Sequence, residues 1–113
     1  MTVAALHMRF LTLTSYKADV EFKLQKIMEK RQYLAYQTMT LATTKSKAMQ
    51  AENETLMAQC ENQENIINQW DKIMEMDQKN IETQQKAAST ELESVQKTLD
   101  TNIKREFKFS ASA

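Results

Sequence analysis

A chain of 113 residues holds one domain at most, and this one is 42% hydrophobic, 27% charged and formally neutral, with no glycine and no proline. Average usage would supply about eight glycines and six prolines, so the strongest turn formers are missing and folds rich in tight turns are excluded. One cysteine rules out an intrachain disulfide and a cysteine zinc cluster, and no run of about 18 apolar residues is present to cross a membrane as a helix.

What remains is dominated by Gln, Glu, Lys, Met, Ala and Leu, the side chains that lose least freedom in a helix. The composition predicts an all-α chain of long amphipathic helices forming an antiparallel helical hairpin or coiled coil. Residues 1–50 carry eight Lys and Arg against three Asp and Glu, whereas residues 51–113 carry seven against twelve. Antiparallel pairing sets these unlike halves side by side, and parallel in-register pairing would set like on like.

The first element is expected over about residues 3–50. Its opening is apolar, but it has no basic start and His7 and Arg9 interrupt it, so it does not read as a Sec-type signal. Cytoplasmic residence and export by another route both stay open. Leu6, Leu13, Val20, Ile27, Leu34, Leu41 and Ala48 recur every seven residues, with Phe10 and Leu24 at the companion position. That companion row then degrades to Lys17, Arg31, Thr38 and Lys45, while Met28, Ala35, Ala42, Met49 and Leu56 form a neighbouring row. A stripe this broad suits a helix with more than one partner.

A reversal is expected near residues 50–54, where Asn53 can cap a helix beginning at Glu54. Residues 43–46, 62–65 and 89–90 are alternative breaks. With no glycine available, asparagine is expected to take the left-handed position of the turn. The second helix is expected over about 54–108, its apolar row running through Ile66, Trp70, Ile73, Asp77 and Ile81, then Leu92, Val95, Leu99, Ile103 and Phe107. Residues 109–113 read as a short tail, with Phe107 and Phe109 either packing in a frayed last turn or docking on a neighbour.

No constellation for chemistry accompanies this pattern. His7 is the only histidine and has no nucleophile near it in sequence, the Glu-x-x-His pairs of a bundle metal site are missing, and no calcium loop is present. No catalytic residue, metal ligand or cofactor is assigned, and the chain is read as a non-enzyme. Cys60 is expected to pack as a small apolar residue, with an intermolecular disulfide as the other reading. Lys23, Lys26 and Lys30 share one helix face and could meet phosphate, but the acidic second half is the closer counter-charge, which disfavours nucleic acid as a partner.

Two segments carry a resemblance. Arg9-Phe10-Leu11-Thr12-Leu13-Thr14 leads into Lys17-Ala18-Asp19-Val20-Glu21-Phe22, and Glu93-Ser94-Val95-Gln96-Lys97 leads into Asn102-Ile103-Lys104-Arg105-Glu106-Phe107-Lys108. Together they resemble the two ends of short uncharacterised bacterial helical coiled-coil proteins, which implies a bacterial origin and no particular activity. In composition the chain also resembles the small coiled-coil stalk and filament proteins of flagellar and type III export systems.

The expected function is therefore structural: self-association through coiled-coil helices as a homo-oligomer or filament subunit. The alternative is a small helical adaptor or export chaperone that holds a protein client. The residues expected at the interface are Leu6, Phe10, Leu13, Val20, Leu24, Ile27, Leu34 and Leu41 from the first helix. From the second they are Ile66, Trp70, Ile73, Leu92, Val95, Leu99, Ile103, Phe107 and Phe109.

Overall fold

The computed structural model describes residues 2–112 as two α-helices, α1 (Val3–Gln50) and α2 (Glu54–Ser112), packed against each other as an antiparallel hairpin. No residue in either helix is a glycine or proline, so nothing interrupts the backbone ladder. The β-branched threonines of α1 do not break it either. Thr12, Thr14, Thr38, Thr40, Thr43 and Thr44 each donate a hydroxyl hydrogen bond to the carbonyl four residues earlier, which satisfies the polar group within its own helix.

Both helix starts are capped by their side chains. Thr2 Oγ1 accepts from the Ala5 amide at 3.1 Å, and Asn53 Oδ1 accepts from the Leu56 amide at 3.1 Å. Asn53 thus fills the capping position expected of it, and the reversal falls at residues 51–53. The left-handed position is taken by Glu52 rather than by asparagine, with φ of 55°. Two backbone bonds hold it there: the Glu52 amide donates to Met49 O at 3.1 Å, and the Asn53 amide donates to Ala48 O at 2.9 Å. This is a Schellman closure of α1. Asn53 cannot serve as its left-handed residue because it is already committed as the cap of α2.

The expected tail is helical instead. α2 continues through Ser112, because residues 108–112 contain no breaker, and of the expected tail residue 113 alone lies outside the described residues. Phe107 and Phe109 stand exposed on that last stretch.

The hairpin divides into two compact units, Met1–Lys23 with Ile81–Ala113, and Leu24–Asn80. In the first, Leu6, Val95 and Leu99 form the core, and Val3, Phe10 and Leu13 pack against it. Val20 and Ala88 are also buried there. The second unit contains the turn. Ala48 and Cys60 are buried near it, and Leu24, Ile27, Leu34, Leu41, Ile67 and Met74 are half-buried along the seam. Cys60 therefore packs as a small apolar residue, 3% exposed.

Candidate interaction surface

The seam of α1 follows the expected seven-residue row; that of α2 keeps the expected Ile81, Leu92, Val95 and Leu99 in the first unit but departs from the expected row in the second. Its inward positions are Cys60, Glu64, Ile67, Asp71, Met74 and Gln78 in the second unit, and Ile81, Gln85, Ala88, Leu92, Val95, Leu99 and Asn102 in the first. Ile66, Trp70 and Ile73, expected to face α1 directly, lie one residue earlier, about 100° around the helix. They remain 53%, 55% and 54% exposed. Ile103 and Phe107 are likewise exposed, since the inward row reaches Asn102.

The reason lies in the polar residues of the seam. Arg31, which made the companion row of α1 look degraded, donates from Nε to Asp71 Oδ1 at 2.9 Å and from Nη2 to Oδ2 at 3.3 Å. Its Nη1 donates to Gln78 Oε1 at 2.8 Å. This planar fork needs Asp71 and Gln78 one heptad apart on the inward face of α2, and both are found there. Lys45 reaches Glu61 at 3.5 Å and Glu64 at 3.6 Å. In the other unit Arg9 pairs with Glu91 at 2.6 Å. Among the described residues no buried side-chain nitrogen or oxygen lacks a partner.

The fork also sets the charge states of its members. The hydrogen bond from Arg31 holds the Asp71 carboxyl below the usual range. Partial burial opposes that shift, and the guanidinium charge adds to it. The same hydrogen bond raises Arg31 above the ordinary guanidinium value.

With the polar row turned inward, an apolar row of α2 is turned out. Ile66, Trp70 and Ile73, spaced four and three apart, form one stripe. On α1, Tyr33, Tyr36, Gln37, Thr40 and Leu41 border a shallow groove whose α2 side is Gln63, Ile66 and Ile67. Tyr33 is 61% exposed and Tyr36 is 67% exposed. The apolar stripe and the aromatic edge therefore lie on one face of the second unit, continuing to Lys26 and Lys30 on α1 and Asp77 on α2 by the same helical spacing.

The groove on the opposite face is different. It is lined by Arg31, Gln32, Leu34, Ala35, Thr38, Ile67, Asn68 and Asp71, so small and polar groups dominate where the first face carries three large rings. The neighbouring row noted in the sequence, Met28, Ala35, Ala42 and Met49, belongs to this second face and is exposed.

The first groove offers phenol, amide, hydroxyl and alkyl groups. Among the described residues no group of three His, Cys, Asp or Glu side chains is placed to hold a metal ion. His7 is exposed. No described helix is long and apolar enough to cross a membrane. No family model, no curated protein and no solved structure matches this chain, so its geometry stands as the guide to its function.

Proposed function

We propose that this chain is a non-enzymatic assembly protein that self-associates through its helices, with the face carrying Tyr33, Tyr36, Ile66, Trp70 and Ile73 as its principal contact. The observation that carries the reading is this apolar row, left outside a seam that is already occupied. Three aromatic rings and two isoleucines, each at least half exposed within one unit, make a patch of the kind that marks association sites.

Phe107 and Phe109, 75% and 77% exposed near the end of α2, favour a filament as the extended form of this assembly. A second contact on a separate unit lets pairs continue into an open polymer, whereas the first face alone closes. The adaptor alternative uses the same face for a different protein.

Light scattering after size exclusion, over a roughly hundredfold concentration range, tests the reading. Mass is expected to rise above that of one chain, and Trp70→Glu is expected to return it to monomer with helicity intact. A single-chain mass at every concentration sinks self-association and leaves the client-binding alternative standing. Fibres in negative-stain images that vanish in Phe107→Ala/Phe109→Ala are the expected mark of the filament form.

A further inference from the structure

We infer that the occupant of the Tyr33/Trp70 face is a second copy of this chain, seated face to face about a twofold axis parallel to the helices, so that α1 of each copy lies on α2 of the other. The inference rests on the self-association just proposed and adds its geometry. Within the second unit, α1 from residue 24 to 50 carries five Lys and Arg against one Glu, and α2 from 54 to 80 carries two Lys against six Asp and Glu. The exposed face thus presents a basic helix beside an acidic one.

Two twofold arrangements can press this face against itself. A twofold axis across the helices stacks α1 on α1 and α2 on α2, like charge on like. An axis along the helices instead gives every basic helix two acidic neighbours, all antiparallel, as in an up-down four-helix bundle. The apolar residues favour the same choice. Because Thr40 and Gln63 border one groove, as do Tyr36 and Ile66, counting along the antiparallel helices brings Tyr33 level with Trp70 and Lys26 level with Asp77. In the lengthwise arrangement the tyrosines of each copy therefore cover the Ile66 and Trp70 of the other, and Lys26 meets the opposing Asp77 twice in one dimer. Lys26 also contacts Glu29 at 3.9 Å in its own helix, with its side chain 54% exposed.

A charge-exchange experiment reads this geometry directly. Lys26→Glu alone sets two like-charge contacts in the dimer, and so does Asp77→Lys alone, so each is expected to weaken dimerisation roughly three- to tenfold. Mixed in equal amounts, the two variants regain both contacts in a heterodimer, and sedimentation equilibrium is expected to return the wild-type affinity. Repulsion between positions 26 and 77 within one chain cannot be relieved by mixing, which makes recovery specific to the contact between copies. Circular dichroism confirms that each exposed substitution leaves the helices formed. A wild-type dimer whose two variants gain nothing on mixing overturns the lengthwise arrangement while leaving self-association in place. A wild type that stays monomeric overturns both.

Discussion

Glu52 is the residue at which the chain turns back, and it does so in a conformation that costs a residue with a β-carbon about 1–2 kcal/mol. Its φ of 55° is held by the bonds to Met49 and Ala48 and not by its own preference. Replacing Glu52 with Gly is expected to stabilise the hairpin by roughly 0.5–1 kcal/mol, since the strain relieved exceeds the cost of the added unfolded-state freedom. Thermal denaturation followed by circular dichroism would show this as a rise in Tm, and a β-branched residue at the same place would lower it. Asp71 carries a different expectation. Its folded-state pKa is depressed, so the stabilisation it gives is fully present above its unfolded value of about 3.9 and is lost as pH falls through the lower folded value. The Tm gap between wild type and Asp71→Asn should accordingly be widest near neutral pH and narrow progressively as pH falls below about 4. A gap that does not narrow as pH falls below about 4 would show that the carboxylate charge is not its source.

Helix content, the antiparallel pairing, the reversal and its Asn53 cap were legible in the sequence, because each follows from local chemistry: missing breakers, opposed charge and a capping side chain. The seam of α1 was legible for the same reason, as Leu6, Val20 and Ala48 are almost wholly buried. So was the seam of α2 in the first unit, where Leu92, Val95 and Leu99 turn inward, but in the second unit it was not. Hydrophobic periodicity selects the row Ile66, Trp70 and Ile73, yet the row that faces α1 contains Glu64, Asp71, Gln78 and Gln85. The missing signal was complementarity. Arg31 and Lys45 stand where α1 loses its apolar row, and acidic residues one helix away take up their charge. Polar pairs in a seam commonly select register more than they add stability. Replacing Arg31 and Asp71 together with leucine is thus expected to keep or raise Tm while loosening the register, visible as broadened amide resonances in the Leu24–Asn80 unit. The two classes of apolar residue should also separate by measurement. Leu99→Ala removes a buried side chain and is expected to cost about 2–4 kcal/mol of stability. Ile73→Ala should change the monomer by less than about 0.5 kcal/mol, its effect appearing in association.

At the scale of the whole molecule, Trp70 is a built-in reporter, being the single tryptophan and 55% exposed in one copy. Its emission is expected to shift to the blue and its quenching by acrylamide to fall as protein concentration rises through the association midpoint. Emission independent of concentration, alongside a rising mass, would place the contact on another face. The three-residue reversal has one further consequence, which concerns force. Because α1 and α2 are antiparallel, the start of α1 and the end of α2 belong to one unit, and tension applied between them opens the hairpin one contact at a time. Arg9–Glu91 parts first, then Arg31–Asp71, then Lys45 from its two glutamates. A pair loaded in this peeling direction shares no load with the next, so a pulled single chain would yield at low, nearly constant force, and any resistance to tension in an assembly must come from its neighbours.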